Sequence, residues 1–243
     1  MKMIRNLRVA ISFMTRIPVR HKHEPNIGAA APWFPVVGVI VGTITGTTAW
    51  AISQFCTPLV GAAVGVCVGL LVTGAFHEDG LADVADAFVG GWTNEDRLRI
   101  LKDPLHGTYG VAAISGSIAI RIIALGSISP KHMIAYSIAA HCIARASALF
   151  LMLNSAPATQ TGLGADYVQR LPRMNAIISI ALSIGFCFLI TQSKMIVCFL
   201  LVTLFTFIVR QWSKRKIGGI TGDVLGTVEQ VSEIAALVAL SAK

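Results

Sequence analysis

From Pro25 to Phe76 the chain runs for 52 residues without one charged side chain. That is far longer than a buried element of a soluble domain, and it holds two membrane crossings of about 20 residues each. Gln54, Cys56, Thr57 and Pro58 mark the turn between them. Further apolar stretches cover about 111–128, 133–153, 174–191, 195–209 and 224–242, which makes seven predicted spans. The rest of the surface cannot all face water: only 13% of the residues are charged, where a soluble domain carries about 25%, and the mean hydropathy is +0.70. The pattern predicts an all-α, polytopic integral membrane helix bundle of about seven transmembrane helices with an N-terminal amphipathic helix. Residues 1–243 are read as one membrane-embedded domain, because no linker or internal repeat divides them. Gly, Ala, Ser and Thr are frequent in the spans, as close helix approach in lipid requires.

The formal charge of +8 would suggest nucleic acid as a partner of a soluble protein. In this chain the basic residues flank apolar spans, so the expected partner is membrane lipid and no nucleic acid. With a cytoplasmic N-terminus, seven crossings put 1–32, 77–110, 154–173 and 210–223 on the inner side. Fifteen of the 20 Lys and Arg lie there, against Lys131, Lys194 and Lys243 on the other face. This asymmetry predicts a multi-pass protein of the cell inner membrane whose chemistry faces the cytoplasm. Ile4, Leu7, Ile11 and Met14 recur at helical spacing among Lys2, Arg5, Arg8 and Arg16, as in a helix lying on the bilayer surface. The basic N-terminus lacks a small-residue cleavage site, so no cleaved signal peptide is expected. The five cysteines sit in apolar runs without metal or disulfide spacing and read as small hydrophobes. A homo-oligomer is compatible with these features.

The segment His77-Glu78-Asp79-Gly80-Leu81-Ala82-Asp83-Val84-Ala85-Asp86 places four carboxylates directly after the second span. On a helix, Asp79, Asp83 and Asp86 share one face and Glu78 points elsewhere. Three clustered carboxylates repel one another, and a divalent cation relieves them. Mg²⁺ in particular joins protein carboxylates to substrate phosphates. Asp79, Asp83 and Asp86 are therefore the expected metal ligands and catalytic residues, the alternative being a solvated acidic helix end. His77 has no partner His at ligand spacing and reads as a packing or hydrogen-bonding residue.

Two glycine loops follow. Arg97, Arg99, Lys102 and Asp103 lead into Gly107-Thr108-Tyr109-Gly110, a set able to offer cations and amides to a diphosphate or, alternatively, a plain solvated turn. Gly218-Gly219-Ile220-Thr221-Gly222-Asp223 opens the last helix, where free amides attract phosphate and Asp223 adds a carboxylate; by itself it reads as a turn and cap. Gly162-Leu163-Gly164 is a third candidate loop, or a simple connector. Arg121 and Arg145 interrupt spans at a cost of about 2.5–3.5 kcal/mol each. They must face the bundle interior, to bind an anionic ligand or to pair with acids.

In this order, Phe13-Met14-Thr15-Arg16-Ile17-Pro18, Phe34-Pro35 with Gly38, Phe76 to Asp86, Lys102-Asp103 with Gly107-Thr108-Tyr109-Gly110, Arg145, Gly162 with Gly164, and Gly219 to Gly226 resemble the cobalamin synthase (adenosylcobinamide-GDP ribazoletransferase) family along nearly the whole chain. The sequence has Glu78 where a His-Leu-Asp-Gly version has Leu, and Ala144 where Ser often precedes Arg145. The resemblance implies a Mg²⁺-dependent phosphotransferase. It would move the adenosylcobinamide-phosphate of adenosylcobinamide-GDP to α-ribazole or its 5′-phosphate and release GMP. For such a reaction, phosphate-capable cations and loop amides make Arg97, Lys102, Asp103, Arg145, Gly219, Thr221, Gly222 and Asp223 the expected substrate-binding residues. A membrane transferase acting on a CDP-alcohol or a prenyl diphosphate would use similar carboxylates. A cation-coupled transporter could use the intramembrane charges, but the chain shows no inverted halves.

Overall fold

The structure, a computed structural model, describes residues 2–20, 24–160 and 163–242. Its elements are α1 (Lys2–Met14), α2 (Ile27–Ala30), a 3-10 turn (Ala31–Trp33), α3 (Phe34–Ile52), α4 (Pro58–Thr73), α5 (Phe76–Gly90), α6 (Asn94–Ile100), α7 (Thr108–Gly126), α8 (Pro130–Asn154), α9 (Leu163–Gln169), α10 (Arg173–Thr191), α11 (Lys194–Ile217) and α12 (Gly222–Ser241). Among the described residues there is no strand, only an isolated parallel bridge between Pro157 and Ile220. Six helical stretches are long and apolar enough to cross a membrane, or seven if the bent pair α4 and α5 is counted as one span. The expected all-α polytopic bundle is the observed fold.

Small residues set the packing. On α3, Gly38, Gly42 and Gly46 lie against the backbone of α8 at His141, Ser137–Ile138 and Ile134, where added Cβ atoms would overlap those residues. On α4, Gly61, Gly65 and Gly69 meet Ser53, just past the end of α3, and Ala49 and Thr45 of α3, where added Cβ atoms would overlap them. Both ladders have a spacing of four, so each presents one smooth helix face, and dispersion contacts between close backbones hold the pairs together in lipid. The most enclosed spans are α8 and α12, each 78% buried, whereas α10 is 22% buried and turns its apolar face outward.

The turn from α4 into α5 positions the acidic segment. Gly74 and Ala75 both adopt left-handed backbone, at φ 67° and 56°, and α5 leaves α4 at 89°. Glycine accepts this conformation freely, while Ala75 is strained by roughly 1 kcal/mol. The Arg16 amide donates to the Val72 carbonyl at 2.7 Å and ties the N-terminal segment to this elbow. Helix α1 packs through Val9, Ala10 and Met14 and leaves Met3 and Ile4 exposed, as an interfacial helix would.

Two apolar clusters fill the bundle. Along α12, Val224, Leu225 and Val228 belong to the cluster under the loops, and Ala235, Ala236, Leu237, Ala239 and Leu240 to the one at the opposite end. Glu229, Gln230 and Glu233 stand between them, each under 4% exposed. Glu229 pairs with Arg145 at 3.0 Å and His77 at 2.9 Å. Arg121 pairs with Glu78 at 2.8 Å and Glu233 at 3.2 Å, and His141 approaches Glu233 at 3.0 Å. Gln230 donates to Glu78 at 3.1 Å and accepts from Ser117 at the same distance. Four helices, α5, α7, α8 and α12, thus meet through one buried charge network.

Candidate active site

The loops that carry the predicted site residues gather at one end of the bundle. Gly80 of α5 lies against the Asp223 backbone, so close that a Cβ there would overlap it. Thr227 fastens the crossing, its hydroxyl donating to the Gly80 carbonyl at 3.0 Å and to the Asp223 carbonyl at 2.8 Å. The glycine at position 80 thereby lets α12 approach α5 closely enough to set Asp223 beside Asp79 and Asp83. Thr221 caps α12 by accepting from the Val224 amide at 3.3 Å, and its hydroxyl also reaches Asp223 at 3.3 Å.

The three carboxylates expected to act alike have separate environments. Asp79 is 63% exposed and Asp83 13% exposed, and His106 lies between them, with Nε2 3.3 Å from Asp79 Oδ1 and Nδ1 3.4 Å from Asp83 Oδ1. Burial pushes the Asp83 carboxyl up to about 7, reinforced by Asp79 and Asp223 and opposed by His106. Asp86 differs. Its two oxygens accept the amides of Gly107 at 2.7 Å and Gly110 at 2.9 Å, which makes it the cap of α7, where a carboxylate satisfies free amides and complements the helix dipole. Asp86 therefore holds the loop that carries His106, and the Gly107 and Gly110 amides read as diphosphate donors are already engaged.

The cations also divide. Arg145, read as a substrate contact, is 1% exposed and sits against Glu229 inside the bundle. Arg97 donates to the carbonyls of Lys216 at 3.1 Å and Trp92 at 2.9 Å, pinning α6 to the end of α11. Lys102 is exposed on the loop. Asp103 accepts from the Leu105 amide at 3.0 Å and shapes the approach to His106. Gly219 is buried against Ala156–Ala158, and the Ala158 amide donates to Ile220 at 2.9 Å. Thr221, Gly222 and Asp223 remain half-buried at the rim. Gly164 packs on Thr221 and Gly222, and Gly162 lies outside the described residues.

Glu78, whose role the sequence leaves unassigned, is the counter-ion of Arg121. His106 is the residue the motifs missed; its one signal is its position directly before the Gly107 turn. Glu229 and Glu233 gave no local signal, being single acids in an apolar helix whose partners lie far away in the chain.

Among the described residues no three His, Cys, Asp or Glu side chains close on a common point as a metal cage. Mg²⁺ needs no such cage, because it keeps several waters and takes one or two carboxylates together with substrate phosphates. Asp79, Asp83 and Asp223 around an open rim, with His106 offsetting part of their mutual repulsion, are carboxylates of the kind Mg²⁺ takes.

The model of the family described as cobalamin-5-phosphate synthase matches residues 6–241. A protein of Bradyrhizobium diazoefficiens named adenosylcobinamide-GDP ribazoletransferase is 37% identical over 98% of this chain and 94% of its own length. Proteins of the same name from Ralstonia nicotianae and Clostridium novyi are 35% and 30% identical, over 96% and 98% of this chain and 93% and 96% of their own lengths. No solved structure matches. With its own length and that of its relatives covered almost throughout, the chain belongs to the cobalamin-5-phosphate synthase family.

Proposed function

We propose that the chain carries the activity for which its relatives are named: it joins adenosylcobinamide-GDP to α-ribazole or its 5′-phosphate, in the last assembly of the cobalamin nucleotide loop. A ribazole hydroxyl attacks the phosphoryl group attached to cobinamide; its O–H bond breaks, a P–O bond forms, and the bond to GMP breaks. The observation that carries the reading is the Asp79, Asp83 and Asp223 rim beside His106 on a loop fixed by Asp86. The charge on reacting phosphates has to be met there by groups that are already in place.

Asp79, Asp83 and Asp223 would hold Mg²⁺, which when bound draws charge from the diphosphate oxygens. One of these carboxylates, Asp83 by the proton affinity that burial gives it when no cation is bound, would take the hydroxyl proton. His106 orients Asp79 and Asp83, and Asp86 positions His106 through Gly107 and Gly110. Lys102, exposed on the same loop, is a cation that can meet the diphosphate. Arg145 and Arg97 serve the framework.

We infer that this end faces the cytoplasm in a cell inner membrane. Supporting this, the loops that meet at the rim carry most of the chain's Lys and Arg. Lipid covers the outward apolar faces of α10 and α11, where Leu182, Leu189 and Leu200 are at least 60% exposed. The test is incubation of the purified protein with adenosylcobinamide-GDP, α-ribazole and Mg²⁺. GMP and an adenosylcobalamin product should appear and should cease with a chelator; release of CMP or diphosphate from other substrates, with no GMP, would assign another membrane transferase.

A further inference from the structure

Beside the carboxylate rim lies a cavity of about 100 Å³ that opens to solvent on one side. Four rings from four helices line it. Phe13 of α1 stacks on Phe34 of α3 at 5.9 Å and 20°, and meets Phe76 of α5 and Tyr167 of α9 edge-on at 5.1 and 5.5 Å. Asp79 and Asp223 line the same cavity on its catalytic side. Tyr167 is 4% exposed, and its buried hydroxyl has no hydrogen-bond partner. Buried tyrosine hydroxyls ordinarily find a partner, so this one marks a place where a ligand atom belongs. Burial also pushes the Tyr167 hydroxyl well above its ordinary range, so it stays protonated and able to donate.

We propose that this aromatic cavity seats the flat, weakly polar base of the acceptor nucleoside, with Tyr167 Oη donating to a ring nitrogen, so that the attached sugar hydroxyl projects toward Asp79 and Asp223. The assignment rests on the transfer reaction above and names which part of its substrates the pocket takes. Two bases compete for it. Guanine presents several donors and acceptors on its edges, whereas away from the rim carboxylates the cavity's other ionisable side chains, His77 and Glu229, are paired with each other at 2.9 Å, which leaves Tyr167 Oη to meet a base. Buried guanine would keep unpaired polar groups. A benzimidazole-type base, as in ribazole, has a broad ring surface for Phe13 and Phe34 and one bare ring nitrogen for Tyr167, which matches the wall.

The test uses the purified full chain in detergent, without metal and without adenosylcobinamide-GDP, so that binding is read apart from turnover. Labelled α-ribazole should bind, and free benzimidazole should displace it while guanosine does not. Tyr167→Phe removes one hydrogen bond and should weaken α-ribazole about fivefold. Ala148→Leu, which adds bulk to the cavity wall, should weaken it more than tenfold. In steady state both variants should raise KM for α-ribazole and keep KM for adenosylcobinamide-GDP within about twofold. Displacement by guanosine, a rise confined to the adenosylcobinamide-GDP KM, or absence of α-ribazole binding by folded protein overturns the assignment. Binding lost in the variants of a protein that shows no transfer upholds the pocket and refutes the reaction instead. If Ala148→Leu does not fold, Tyr167→Phe decides alone, since it changes no volume beyond the hydroxyl.

Discussion

Asp83→Asn separates electrostatic strain from function, because the two are expected to move in opposite directions. The wild-type carboxyl is held near 7, against 3.8 for a free side chain, so folding disfavours its charge. The penalty is absent below about pH 4, grows as pH rises toward 7 and is complete above it. The displacement sets a ceiling of roughly 4 kcal/mol, of which a side chain partly open to water realises about 1–2 kcal/mol. Asparagine keeps the volume and removes the penalty. In chelator at pH 8 the variant should therefore melt about 2–6 °C above wild type, and the gain should vanish near pH 4. Transfer activity should be lost. Saturating Mg²⁺ should reverse the order, since a ligand at 100 times its Kd adds about 2.7 kcal/mol to the protein that binds it. The assay is thermal unfolding in detergent at both pH values, with and without Mg²⁺, alongside GMP release. A variant that melts below wild type in chelator at pH 8, or that gains as much from Mg²⁺ as wild type does, refutes the reasoning.

Asp86→Asn should destabilise by about 1.5–3 kcal/mol, because an amide group then faces one of the Gly107 and Gly110 amides; Gly110→Ala, which pushes a methyl into the same carboxylate, should lower activity in parallel, both read by melting and GMP release. Glu229→Gln leaves Arg145 and His77 without their carboxylate and should cost about 3–5 kcal/mol. Arg145→Met with Glu229→Gln should cost clearly less than the two single changes added together, a coupling measurable in a double-mutant cycle. Glu78→Leu should be the mildest change in the network, since Arg121 keeps Glu233 at 3.2 Å, and should lower folded yield more than the turnover of the protein that does fold. Between pH 7 and pH 6 the apparent Mg²⁺ requirement should rise about fivefold as Asp83 takes up a proton, read from Mg²⁺ titrations of activity at the two pH values.

The spans were legible because hydrophobic length is a local property, and 52 uncharged residues admit few other folds. The acidic helix was legible too, since Asp79, Asp83 and Asp86 fall on one face by spacing alone. What spacing cannot tell is which oxygens are already engaged. Asp86 meets amides 21 and 24 residues away, and only the return of the chain at α7 sets it apart from Asp83. Arg145 illustrates the same limit. A buried guanidinium implies an anion, but choosing between a substrate phosphate and Glu229 requires knowing that α12 lies beside α8. His106 and Tyr167 carry no motif and become visible only through what surrounds them.

The order in which the buried charges are made also has a consequence. The ribosome delivers Glu78, Arg121 and Arg145 before Glu229 and Glu233, which arrive on the last helix. Until then Arg121 has Glu78, and Arg145 lacks the carboxylate with which it pairs in the folded bundle. Helix α12 works as a closing key: the other spans can insert one by one, but the settled arrangement waits for its two acids. A nascent chain stopped short of Glu229 would hold unmatched positive charge in lipid, a defect that a membrane protease could recognise without reading any sequence.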